Sequence, residues 1–249
     1  MAGCCDFAKL VTLTHGFEDP LIDVQGRAVF ALRFSPDTME LAGKVVGWNH
    51  PSVTGAGELG NLPVSTKVGI SVSGRAEGLK LAWPFLATEA KAWSQYRLEE
   101  RDLAALLGRN ISFSSPSGAS EMIGLRIVSD DVTRADRALS EIAPTLALST
   151  PVYTRVDDDV LIAATTSAYG DELSLASPRL SSLGAFKAVV SDHVAAASAT
   201  FLNLQPIWEE WPSEGSPYEA FLRSLQAIGG QYLDHGSGEG AWTVRLLRA

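Results

Sequence analysis

The chain has 249 residues, 46% of them hydrophobic and 20% charged, which is enough to bury a substantial core without disulfide or metal staples and far from the composition of a disordered chain. A formal net charge of -9 and a pI near 4.9, with no cluster of Lys and Arg, argue against nucleic-acid binding, because such a field repels a phosphate backbone. No run approaches the roughly 18 to 20 consecutive apolar residues of a membrane-spanning helix, and the N-terminal segment lacks the basic start and apolar core of a signal, so the chain as it stands is expected to be soluble.

Residues 1–24 carry no periodic pattern and are expected to be a poorly ordered segment preceding one domain over residues 25–249. The only cysteines, Cys4 and Cys5, are adjacent and lie in this segment, so no disulfide framework can brace the body of the fold. Met1, Ala2, Gly3 and Cys4 are similar to the small-residue approach to a lipidated cysteine, but the apolar stretch that must precede it is absent, which leaves a frayed terminus as the plainer reading. Ala28, Phe30, Leu32 and Phe34 alternate along a strand with one well-buried face, Ser35 to Thr38 make a turn, and Met39 and Leu41 resume the alternation. The hairpin ends near Trp48, and residues 49–63 read as a loop rich in Gly, Asn, Ser and Pro.

Val64, Val68, Ile70 and Val72 predict the next strand, followed by two helical stretches, LKLAWPFL and LEERDLAALLG. In the second, Leu98, Leu103, Leu106 and Leu107 fall near one face, Glu99 and Glu100 favour its first turn, and Gly108 sits where a helix-ending glycine belongs. Ile111 and Phe113, then Ile123, Leu125 and Ile127, make a hairpin, and Asp130 or Asp131 can cap a helix through Val132, Ala135, Leu139 and Ile142 that Pro144 stops. Residues 152–156 and 160–166 read as a strand pair joined at Asp157, Asp158 and Asp159, and a short helix follows around 183–190. The chain closes with ASATFLNL as a strand, PIWEEW and YEAFLRSLQAIGG as helical stretches, and a hairpin of QYLDHG and WTVRLLR turning at His235 to Gly240.

Residues 62–128 and 196–247 thus share one order of elements: strand, Trp-bearing helical stretch, Gly stop, two strands. Because tight turns join most adjacent strands, the pairing must be antiparallel. The expected fold is α+β, a twisted and mainly antiparallel sheet with helices on one face, built from an internally repeated strand-helix-hairpin unit, its other face left to solvent, a partner or a ligand.

Leu62-Pro63 before VGISVSG, Trp83-Pro84, Leu106-Leu107-Gly108, Ser129-Asp130-Asp131, Ala168-Tyr169, Leu183-Gly184-Ala185-Phe186-Lys187 and the final hairpin, in this order and spacing, resemble a family of bacterial, largely actinobacterial, proteins of unknown function that usually carry an N-terminal membrane anchor. The resemblance covers roughly residues 25–249 and implies an extracytoplasmic, anchored setting; it supplies no catalytic residues, and the anchor itself has no counterpart in this chain.

Motifs for chemistry are weak. Gly55, Gly57 and Gly60 spell G-x-G-x-x-G, but a dinucleotide site needs those glycines between a strand and a helix, and a strand follows here, so no cofactor is expected. Asp157 to Asp159 lack the spaced ligands of a calcium loop, and His15, His50, His193 and His235 are scattered, so no metal site is expected. There is no G-x-S-x-G, and Ser71 and Ser73 fit the polar face of a strand. Trp83, Trp93, Trp208, Trp211 and Trp242 suit packing between helices and sheet, whereas Trp208 and Trp211, three apart on a short helix, cannot easily both be buried. They are the candidate contact residues. The expected function is non-enzymatic binding of a partner protein or an apolar or amphiphilic small molecule through the sheet face or the Trp208 and Trp211 region; the alternative is a hydrolase whose site assembles from sequence-distant residues.

Overall fold

The computed structural model describes residues 2–6, 27–47, 57–73, 98–116, 122–143, 152–175, 178–210 and 217–248. Among them, eleven strands form one sheet: β1 (Ala2–Asp6), β2 (Arg27–Phe34), β3 (Thr38–Val46), β4 (Val68–Ser73), β5 (Asn110–Ser115), β6 (Gly124–Val128), β7 (Tyr153–Asp157), β8 (Val160–Ala164), β9 (Ser198–Asn203), β10 (Leu225–Gly236) and β11 (Glu239–Arg248). The spatial order is β1-β2-β3-β11-β10-β9-β4-β5-β6-β8-β7, and every neighbouring pair is antiparallel. The fold is therefore α+β on a large antiparallel sheet. Ala2–Asp6, in the segment expected to precede the domain, pairs with β2 as an edge strand.

The helices are α1 (Glu100–Leu107), α2 (Val132–Ile142), α3 (Ser167–Leu175), α4 (Gly184–Val189), α5 (Leu204–Glu210) and α6 (Pro217–Arg223), with short 3-10 turns at Glu58–Asn61 and Leu180–Ser182. Local chemistry explains several boundaries. Glu99 and Asp102 form a capping box at the start of α1, and Gly108 ends it at φ 52, a conformation that costs glycine little. The Asp131 side chain accepts the Arg134 N–H at 3.1 Å to cap α2. Ser237 and Gly238, both at positive φ, turn β10 into β11. The helical stretch expected over YEAFLRSLQAIGG stops at Arg223 instead, and Leu225 onwards is strand, since β9 and β11 claim its backbone hydrogen bonds on both sides. Helix α3 was not expected; Gly170 and its mixed polarity hide it, although Tyr169 and Leu173 stand one turn apart.

Helices lie on both faces of the sheet rather than on one. Leu161 and Ile162 are consecutive on β8 and so point to opposite sides; Leu161 packs with Ala105, Leu106, Ala135, Ala138 and Leu139 of α1 and α2, whereas Ile162 packs with Leu59, Leu62, Tyr169, Leu173, Phe186 and Val189 of the 3-10 turn, α3 and α4. The second group seals what we call the closed face. Phe186 and Phe201 meet edge to face there at 5.3 Å, both fully buried. Small residues let the cover approach: a Cβ on Gly229 would come within 2.6 Å of Val189, one on Gly124 within 2.8 Å of Tyr169, and one on Gly69 within 3.0 Å of Leu59.

Candidate functional site

On the opposite face the cover is uneven among the described residues. Helices α1 and α2 shield β5, β6 and β8, whereas Ile70 and Val72 of β4, Thr200 of β9 and Val244 of β11 stay exposed. The registers align Ile70, Thr200, Gly230 and Val244 in one row and Val72, Ser198, Tyr232 and Trp242 in the next. Residues directly opposite each other share a face, so these eight form one surface drawn from four strands. Ile70 is 40%, Val72 45% and Val244 36% exposed, and Thr200 is also exposed, although every one of these strands is interior to the sheet.

The shape of this strip follows from side-chain size. Ser198, Thr200 and Gly230 make a low floor, with Ile70 and Val72 standing on one side and Val244 and Trp242 on the other. Four strands at about 4.8 Å spacing put the two sides roughly 14 Å apart between backbones, leaving a trough about 10 Å wide. A Cβ on Gly230 would come within 2.9 Å of Thr200 Oγ1 and begin to fill it. At its far end the Trp242 indole lies over Gly43, whose Cβ would sit 2.7 Å from the ring, and the Tyr232 ring lies over Gly240. Neither row contains a charged side chain. Chemically the trough can desolvate an apolar group and offer it hydroxyls at the floor.

Trp208, a candidate from sequence, stands elsewhere and is engaged. Its indole N–H donates to the Leu225 carbonyl at 3.1 Å, the Arg223 guanidinium lies 5.9 Å from the ring centre, and Arg223 donates to the Trp208 carbonyl at 2.9 Å while pairing with Glu219 at 2.6 Å. These bonds tie α5 to α6 and to the start of β10. A depression of about 470 Å³ beside it is lined by Gln205, Glu209 and Gln226 as well as Trp208, and is more polar than the trough. Trp211, the other candidate, lies outside the described residues, as do Trp83 and Trp93.

Of the serines singled out on β4, Ser71 is part of a buried polar cluster on the closed face, and Ser73 is also buried. The Ser71 hydroxyl donates to Asn110 Oδ1 at 3.2 Å, the Asn110 amide donates back at 3.0 Å, and the Ser112 hydroxyl donates to Asn110 Oδ1 at 2.8 Å. Ser114 and Tyr169 share a hydrogen bond at 2.8 Å, and burial pushes the Tyr169 hydroxyl above its ordinary range. Leu59 and Leu62 roof this strand. The hydroxyls satisfy one another under that cover, which is what buried polar groups require.

Other suggestive residues also have structural partners. Gly57 precedes and Gly60 lies within the 3-10 turn that leads towards β4, and side chains there would strike Val194 and His193, so these two glycines serve close packing, while Gly55 lies outside the described residues. His193 lies against Phe186 at 5.1 Å between ring centres; burial lowers its pKa, with the Val190 backbone and Asp192 pulling weakly the other way. Asp157 accepts from the Ser174 hydroxyl at 2.9 Å, Asp159 pairs with Arg109, and Asp158 occupies the turn at φ 54. Among the described residues no group of three or more His, Cys, Asp or Glu could hold a metal ion, and no helix is long and apolar enough to cross a membrane. Burial alone would raise the Asp102 carboxyl, but the Glu99 N–H, Arg134 at 2.9 Å and Arg137 at 2.6 Å outweigh it and hold it below the usual aspartate range, locking α1 to α2. Glu40 is lowered chiefly by its hydrogen bond from Arg245 at 2.7 Å, against the opposing effect of burial.

Comparison of the chain with protein-family models, with characterised proteins and with solved structures finds no match.

Proposed function

We propose that this protein is a non-enzymatic binding module whose open trough receives the apolar part of an amphiphilic ligand. The observation that carries this reading is the exposure of Ile70, Val72 and Val244 on interior strands, where sheets of this size are otherwise covered. Interior strands have no free backbone edge to offer a peptide, and the trough is uncharged, so a hydrocarbon chain that needs no hydrogen bonds is the occupant it favours. Titration with a dansyl-labelled long-chain fatty acid tests it. Saturable binding is expected, weakened roughly tenfold or more, about 1.4 kcal/mol, by Thr200→Trp, which fills the floor from an exposed position. Binding that is unaltered in this variant, or that never saturates, overturns the reading.

We further infer that the sheet is an internal duplication, wider than the repeat of residues 62–128 and 196–247 visible in sequence. What supports it is the strand order. If β2 to β6 are renamed β7 to β11 and the reverse, the order β2-β3-β11-β10-β9-β4-β5-β6-β8-β7 reads the same from its other end. Both hairpins have two-residue turns, at Pro36-Asp37 and Asp158-Asp159, and the matching positions pair Arg33 with Arg155 and Arg126 with Arg245. Each half lends its hairpin to the last strand of the other, β3 to β11 and β8 to β6. A protease site placed within residues 144–150 should therefore yield two fragments that co-elute after cleavage. Fragments that separate as folded monomers would exclude the duplication.

A further inference from the structure

The two 3-10 turns lie together as a small cap on the closed face. The Leu180 N–H donates to the Leu62 carbonyl at 2.8 Å and the Val64 N–H to the Pro178 carbonyl at 3.2 Å, so among the described residues the backbone bonds of 59–64 run within the cap and not to the sheet. Packing holds the cap down, with Leu59, Leu62 and Leu180 fully buried. A segment tied in this way can open without unravelling the strands beneath it. The cap meets the loop between α4 and β9 at His193. A Cβ on Gly60 would come within 2.6 Å of the His193 Nε2, and one on Gly57 within 2.7 Å of the His193 carbonyl oxygen. The same ring meets Phe186 edge to face, and its Nδ1 is buried with no hydrogen-bond partner. A neutral imidazole tolerates this, because Nδ1 can be the ring's bare acceptor; an imidazolium does not, because both nitrogens are then donors.

The charged groups of the surrounding elements are engaged elsewhere. Asp192, next to His193 in the chain, accepts from the Ser191 hydroxyl at 3.1 Å and the Gln231 amide at 3.3 Å, and Arg245, which donates to Ser191 at 2.8 Å, pairs with Glu40. On the cap, Glu58 pairs with Arg126 at 3.3 Å and accepts from Asn61 at 2.9 Å, while Arg179 donates to the Asn61 carbonyl. Lys187 of α4 is exposed. We infer that His193 is an acid-sensitive latch whose protonation loosens the cap of residues 57–64 and 178–183 and uncovers β4. The buried Nδ1–H of the charged ring needs an acceptor or water, and parting from Gly60 supplies one while breaking no bond of the sheet. Opening bares Gly69, which Leu59 and Leu62 cover, and loosens the roof over the cluster of Ser71, Asn110 and Ser112. Burial favours the neutral ring in the closed state, against the Val190 backbone and Asp192, so the open state takes up the proton first and acid favours opening. The response is graded, since the opening equilibrium shifts by no more than the ratio of proton affinities in the two states.

Amide hydrogen exchange of the full chain between about pH 8 and about pH 5, corrected for the intrinsic exchange rates, tests the latch. A several-fold loss of protection is expected at Leu62, Val64 and Leu180 on acidification, with Arg126 and Ile162 of the sheet unchanged. Its midpoint should coincide with the titration of the His193 ring, followed by carbon-13 shifts in the same protein. His193→Gln, neutral throughout, should remove the pH dependence at the cap; if that variant does not fold, the agreement of the two midpoints in the parent chain decides. The inference is overturned if protection at the cap does not change with pH, if the sheet amides change equally, if the midpoint departs from the ring titration, or if His193→Gln keeps the dependence.

Discussion

The closed face and the open trough are two sides of the same strands, and they use apolar residues in opposite ways. On the closed face Phe201, Ala199 and Ala227 point from β9 and β10 into a cover of Leu59, Phe186 and Val189, with glycines thinning the sheet wherever that cover presses on it. On the other side of those strands Thr200 and Gly230 are equally small, but Thr200, Ile70 and Val72 are left exposed. Small residues accommodate a neighbour in the first case and leave a space in the second. Burial, more than residue type, separates structure from site.

Substitutions can break that contrast. The largest effect is expected on the closed face: Phe186→Ala removes a fully buried ring packed against Phe201 and His193, and urea unfolding should show a loss of about 3 to 5 kcal/mol. A loss under 1 kcal/mol would mean that α4 is not part of the core. Next comes Gly43→Ala, on the open side but beneath Trp242, where the added methyl must displace the indole; about 1 to 3 kcal/mol is expected, with a change in tryptophan fluorescence. An unaltered spectrum would place the ring elsewhere.

The pH term is smaller. Because burial holds the folded-state pKa of His193 below its ordinary value near 6.5, the unfolded chain takes up the proton first. Stability from this residue is complete above that value and declines as pH falls through it towards the folded-state pKa. His193→Gln should flatten that part of the stability profile, and an unchanged slope between the two proteins would assign it to other groups. The smallest effect is expected in the trough, where Thr200→Ala should stay within about 0.5 kcal/mol of the parent. A cost above 1.5 kcal/mol would show the floor to be structural and remove the contrast between the two faces.

Much of the fold was legible in the sequence because it depends on nearest neighbours. The alternation at Ala28, Phe30, Leu32 and Phe34, the cap at Asp131, the stop at Gly108 and the turn within Asp157 to Asp159 each lie within a few residues of the element they define. Where sequence misled, a distant partner decided. Leu225 to Gly230 carry on the pattern of the preceding helix, yet β9 and β11 supply a hydrogen-bond partner on each side and the segment is strand. Trp208 is engaged by Arg223 and Leu225, partners that no local spacing announces. The trough had no local signal, since its residues come from four strands between Ile70 and Val244.

By itself the sequence determined that this is an acidic α+β chain of antiparallel strands, because turn chemistry and side-chain period act over a few residues. Only the tertiary structure decided that helices would occupy both faces, that β3 would pair with β11 and β8 with β6, and that Ile70, Val72 and Val244 would stay exposed. Strand order and cover are set by contacts between residues far apart in the chain, and the surface left open is whatever those contacts do not reach.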